Sequence, residues 1–162
     1  METTNMFEPD ENGVYARVQA SPPRRIFAYG VQFGLGALLV YVTLVQPPAL
    51  LWMIFMLGFG ILMLWQAERL RRATTHIIEL TEDELRDSAG TVLARIEDVR
   101  SVERGAFAFK PSNGFTLVLH TKKPRAWLPG LWWRFGRRVG VGGVTNAGQS
   151  KFMAEQIALR IK

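Results

Sequence analysis

Residues 122–138 read KKPRAWLPGLWWRFGRR. Six cations (Lys122, Lys123, Arg125, Arg134, Arg137 and Arg138) occur there with no acid, interleaved with Trp127, Leu128, Leu131, Trp132, Trp133 and Phe135. The chemistry of this mixture is binding. Tryptophan seats a large apolar body among lipid headgroups while its indole N–H takes a polar partner. Each Lys or Arg near an anionic bilayer adds about 1 kcal/mol of attraction. Trp and Arg are also the residues enriched at protein-interface hot spots. Three roles stay open for the tryptophans: membrane docking, a protein interface, or a core beneath a barrel mouth. The candidate binding residues are Lys122, Lys123, Arg125, Trp127, Leu131, Trp132, Trp133, Arg134, Arg137 and Arg138. Basic–aromatic mixtures also hold single-stranded nucleic acid, but no recognised motif accompanies this one, and no nucleic-acid partner is expected.

Nothing in the sequence assembles bond-making chemistry. There is no cysteine, which excludes thiol catalysis, disulfides and Cys-based zinc sites. Two histidines, His76 and His120, cannot build a multi-histidine metal site. Ser88, Ser101, Ser112 and Ser150 lack a nucleophile motif such as G-x-S-x-G. Gly140-Val141-Gly142-Gly143 lacks the Gly-Lys-Ser/Thr ending of a phosphate loop. Glu82, Asp83 and Glu84 mark a solvated turn. The expectation is a non-enzymatic protein with no catalytic residue, metal or cofactor.

The elements that position the basic–aromatic stretch begin with two apolar runs, 26–45 and 49–65, separated by Gln46-Pro47-Pro48. Neither run holds Asp, Glu, Lys or Arg. A helix of about 20 residues spans the roughly 30 Å hydrocarbon core of a bilayer. So short a joint predicts a hairpin over 26–67 that crosses the membrane twice, and Pro47 and Pro48 suit the turn. The bland alternative is a buried helical pair in a soluble protein. Arg24 and Arg25 precede the first run, and Arg69, Arg71 and Arg72 follow the second, so the positive-inside rule puts both flanks in the cytoplasm. Trp52 and Trp65 fit interfacial anchoring. Gly30, Gly34 and Gly36 in the first run, and Gly58 and Gly60 in the second, are candidate helix-packing positions, between the two helices or against another membrane protein.

Residues 1–25, with an acidic start and several prolines, read as a disordered tail and not as a secretory signal. Residues 74–162 change pattern. Short strands are predicted over 75–80, 84–88, 91–96, 99–109 and 115–121, with Gly105 as a bulge or bend and 138–144 as a last strand. Residues 122–136 have no clear assignment. Asn146 is an N-cap with Gln149 three residues on, and Phe152, Met153, Ile157 and Ile161 form one apolar helical stripe. The fold class is therefore a membrane α-helical hairpin plus an α+β domain, a small open antiparallel barrel closed by a C-terminal amphipathic helix. The charge is lopsided: residues 106–162 hold ten Lys or Arg and one acid, Glu155, within a chain of net charge +6. A strongly basic face calls for anionic neighbours.

Two spans, a strand-turn-strand start, the stretch 94–102 (ARIEDVRSV) and a strand running through Val144-Thr145-Asn146 into the last helix together resemble the bacterial pleckstrin-homology-like membrane proteins. The resemblance covers residues 26–162. It implies a scaffold that binds lipid headgroups, peptides or other proteins, and it does not imply catalysis. The expected setting is a bacterial inner membrane with both termini cytoplasmic. The expected partners are anionic phospholipid and a larger membrane complex or a second copy. A self-contained phospholipid-sensing module is the alternative.

Overall fold

A computed structural model describes residues 9–104 and 111–161. Strand β1 (Ala16–Gln19) leads into helix α1 (Pro22–Val45), which turns at residues 46–49 into α2 (Leu50–Ala73). Strands β2 (Ile77–Leu80), β3 (Glu84–Asp87) and β4 (Val92–Arg95) follow, then a 3-10 turn over Ile96–Asp98 and β5 (Val99–Glu103). Strands β6 (Phe115–Leu128) and β7 (Trp132–Val141) precede the last helix, α3 (Ala147–Arg160). The architecture is two long apolar helices joined to an α+β unit whose sheets are not closed into a barrel.

Both long helices are 24 residues, long and apolar enough to cross a membrane, and only 11% of each apolar window is buried. That exposure sets them apart from the core helices of a soluble protein. Pro22 and Pro23 start α1, where a missing N–H costs nothing. Arg71 and Arg72 occupy the last turn of α2, where cations suit the helix dipole. The two helices meet backbone to backbone at Gly36 and Gly60. A Cβ on Gly60 would lie 2.9 Å from Val40 Cγ2 and 3.1 Å from the Gly36 carbonyl. Gly30, Gly34 and Gly58 have nothing within 4 Å of a Cβ, so they do not pack the hairpin. Of the five expected packing glycines, only Gly36 and Gly60 sit between the helices.

The first sheet has the order β1-β2-β3-β4 and the second β5-β6-β7, with every pair antiparallel. Period-2 alternation sends Val18, Ile78, Leu80, Leu85 and Leu93 inward from the first sheet. Phe115, Leu117, Leu119, Val139 and Val141 come from the second, and Met153 and Ile157 from α3 complete one core.

Three sequence expectations need correction. Residues 16–19 form a strand within the expected tail: β1 pairs Ala16 with Leu80 and Gln19 with Ile77. Helix α1 begins at Pro22 instead of 26. Residues 122–136 are strand and turn, with β6 and β7 far longer than the predicted pieces. The expected bend at Gly105, and the end of the strand predicted to reach 109, lie outside the described residues.

Strand β1 ties the chain before the hairpin to the chain after it. Asp10 accepts from the Asn12 and Val14 amides and pairs with Arg17 at 2.6 Å, which turns the chain into β1. At the other end of β1, the Gln19 amide donates to Gln149 Oε1, and the Asn146 amide donates to the Gln19 carbonyl. Gln149 thus reaches across to β1 while the Asn146 side chain caps α3. The hairpin emerges between two adjacent strands, and both of its ends sit on the domain.

Candidate functional site

Strands β6 and β7 form an arm that curls back on itself. Their pairing runs from Phe115 opposite Val141 to Leu128 opposite Trp132, with register shifts on both sides of Lys123. Such shifts bend a strand and increase its twist. Gly136, opposite Lys123, takes φ +58, a conformation that side-chain-bearing residues resist. The bend carries the tip to the arm's own base: the Gly142 amide donates to the Leu131 carbonyl at 2.7 Å, and the Val144 amide to the Gly130 carbonyl at 3.0 Å. The tip also rests on α2, where a Cβ on Gly130 would lie 2.8 Å from Leu70 Cδ1 and 3.2 Å from Thr74 Cγ2.

This curl divides the candidate binding residues. Leu131 and Trp132 face the core, 0% and 4% exposed, so neither can touch a membrane or a partner. Their expected role as surface contacts is corrected: the curled tip delivers them inward. Trp133 is half-buried and covers Gly140, where a Cβ would collide with its ring. Arg134 is a bracket. Its Nε donates to the Pro124 carbonyl at 2.9 Å, and its Nη1 to the Val92 and Leu93 carbonyls at 2.7 and 3.2 Å, joining the arm to β4 of the other sheet.

Two further cations are paired. Lys123 lies 3.2 Å from Asp98, and Arg138 lies 3.2 Å from Glu103. Burial works against the charge of Asp98. Bonds from the Thr121 hydroxyl, Lys123 and the Thr121 amide outweigh it and hold the carboxyl below the usual carboxylate range.

What remains outward is Lys122, Arg125, Trp127, Phe135 and Arg137. Trp127 is 49% exposed and Phe135 64% exposed. The Arg125 guanidinium lies 5.8 Å from the Phe135 ring centroid. The side chains of Lys122 and Arg137 make no hydrogen bond or ion pair with the described residues. A shallow cavity of about 290 Å³ is lined by Arg125, Ala126, Trp127, Trp133, Arg134 and Phe135. Phe135, absent from the expected set, carries a larger exposed apolar fraction than Trp127.

The link between this surface and the helices is Arg69. Its guanidinium lies 5.4 Å from the ring centroid of Trp65, four residues earlier on α2, and 5.0 Å from that of Trp127 on the arm. Planar guanidinium groups stack well on indole faces. Trp127 therefore lies level with the end of the apolar segment of α2.

Among the described residues no group of three or more His, Asp or Glu is placed to hold a metal ion. The acidic cleft of about 750 Å³ around Glu82, Asp83, Glu84 and Glu97 also contains Arg86 and Arg95. No protein-family model matches this chain, and no curated protein or solved structure matches it.

Proposed function

We propose that this is a two-span protein of a bacterial inner membrane, with both termini cytoplasmic. It carries a pleckstrin-homology-like domain and serves as a non-enzymatic accessory or scaffold. The arm fixes the domain against anionic headgroups beside the hairpin, in an orientation from which a larger complex can be engaged. The observation that carries this reading is the stack of Trp65, Arg69 and Trp127. It sets exposed Trp127 beside the end of the apolar segment of α2, and Arg125 and Phe135 line the same shallow cavity as Trp127. The hairpin already tethers the domain, so a weak surface contact suffices to orient it. Among the described residues, seven strands in two sheets followed by a C-terminal helix support the pleckstrin-homology-like assignment.

Because the chain has no cysteine, Phe135→Cys introduces a unique labelling site. A polarity-sensitive dye at that position, in the full chain reconstituted into nanodiscs, is expected to emit further to the blue in phosphatidylglycerol than in phosphatidylcholine. Equal emission in both lipids refutes membrane docking by the arm. Purification in mild detergent addresses the scaffold role: a stoichiometric membrane partner supports it. A protein that purifies alone while still discriminating the two lipids favours a self-contained phospholipid-binding module.

A further inference from the structure

A second crevice, lined by no residue of the arm, lies at the mouth of the hairpin. A crevice of about 280 Å³ is lined by Ala20, Pro22, Arg25, Ile26, Tyr29 and Arg71. Its lining is largely apolar apart from the two arginines. The end of the hairpin that carries it holds Arg24, Arg25, Arg69, Arg71 and Arg72 against one carboxylate, Glu68.

The partners of these arginines separate their roles. Arg24 donates to the Thr145 carbonyl at 2.9 Å and anchors α1 to the entrance of α3. Arg71 and Arg72 share Glu68, each with an Nε–carboxylate distance of 2.7 Å. Arg69 is stacked between the two indoles. Arg25 has no carboxylate and no ring among the described residues, and unlike Arg24 it is not anchored to the domain. Its Nη2 reaches only the Arg71 carbonyl, at 3.3 Å, an exposed bond. The first turn of α1 adds to the imbalance: it has no acidic residue, and Ser21 makes no side-chain capping bond. The positive end of the helix dipole is therefore uncompensated beside Arg25.

We propose that this crevice binds the phosphate of one anionic glycerophospholipid. Arg25 is the principal ligand and Arg71 the second donor, with the glycerol and upper acyl chain lying on Ile26 and Tyr29. The forked guanidinium of Arg25 matches phosphate oxygens bidentately, which an ammonium cannot do. The Tyr29 ring, stacked on Phe33 at 5.6 Å between centroids, gives the acyl chain a rigid wall. The assignment rests on the reading that the hairpin spans a bilayer, and it is independent of the arm.

The test uses the full chain purified in mild detergent, with retained lipid counted by native mass spectrometry. Wild-type protein is expected to retain one phosphatidylglycerol in preference to phosphatidylcholine. Arg25→Gln is expected to reduce that retention about tenfold, Arg25→Lys to restore it in part, and Tyr29→Leu to weaken it. Arg100→Gln, at an exposed position of β5 outside both the arm and the crevice, is expected to leave it within about twofold. Equal retention of the two lipids by wild type, or unchanged phosphatidylglycerol on Arg25→Gln, overturns the site. Displacement of the lipid by millimolar inorganic phosphate also overturns it, since the crevice would then recognise free phosphate. If carbonate extraction releases the wild-type protein from membranes, the two-span reading itself is what fails. Loss of the dye shift at position 135 with retention intact fails the arm alone.

Discussion

Arg134 offers the sharpest test of how the arm is held. Arg134→Ala removes three charge-assisted hydrogen bonds, and two of them end on the partly buried Val92 and Leu93 carbonyls of β4. At about 1 kcal/mol for each bond in a partly solvated setting, the loss is about 3 kcal/mol. For a chain of this size that corresponds to a fall of roughly 6–12 °C in melting temperature. Arg134→Lys keeps the charge but lacks the fork that reaches both Pro124 and β4 at once, so it recovers about a third of the loss. The assay is thermal unfolding of the full chain in mild detergent, followed by near-UV circular dichroism and by hydrogen exchange over residues 122–138. Arg137→Ala serves as the matched control, since that side chain has no partner among the described residues. If Arg134→Ala melts within about 2 °C of wild type with unchanged protection of the arm, the bracket carries no stability and the reasoning is wrong.

Two other outcomes follow from the same geometry. Asp98 has its carboxyl held below the ordinary value of about 3.9. Its stabilising contribution is therefore present above about pH 4 and disappears as pH falls through the lower folded value. The stability gap between wild type and Asp98→Asn, measured by guanidinium titration in detergent, is expected to narrow below about pH 4. A gap that stays constant from pH 7 to 3 contradicts the assigned ion pair with Lys123. In the hairpin, Gly60→Leu drives a side chain into Val40 and the Gly36 carbonyl, at a cost of about 1–3 kcal/mol. Gly30→Leu meets nothing within 4 Å and is expected to stay within about 0.5 kcal/mol of wild type. SDS-titration unfolding distinguishes the two, and equal effects refute the Gly36–Gly60 contact.

Much of the fold is legible in local patterns. Strands β2, β3 and β4 fall where alternation is bounded by the turn residues Thr81-Glu82-Asp83 and Ala89-Gly90, because each pairs with a neighbour across a short turn. Helix α3 starts where Asn146 announces it, since a cap is a contact within one turn of chain. Strand β1 hides despite the inward alternation of Val14, Ala16 and Val18. It is four residues long, follows an acidic proline-containing segment, and its partner β2 lies beyond the whole hairpin. The arm hides for a related reason: its alternation is broken by two register shifts, and it is closed by bonds from the Gly142 and Val144 amides to the Leu131 and Gly130 carbonyls.

The amino-acid sequence alone determines that two apolar helices of membrane-crossing length stand ahead of a short-stranded domain, because length, hydropathy and flanking charge are properties of contiguous residues. It also marks 122–138 as unusual in composition. Which of those residues face outward is decided only by the tertiary structure. Trp127 and Trp132 are alike as residues, yet one stacks on Arg69 at the surface and the other fills the core. Arg134 and Arg137 carry the same charge three positions apart, but Arg134 alone meets carbonyls that lie some forty residues earlier. Burial is created by contacts between distant segments, and the curl of β6 and β7 that makes those contacts has no local signature.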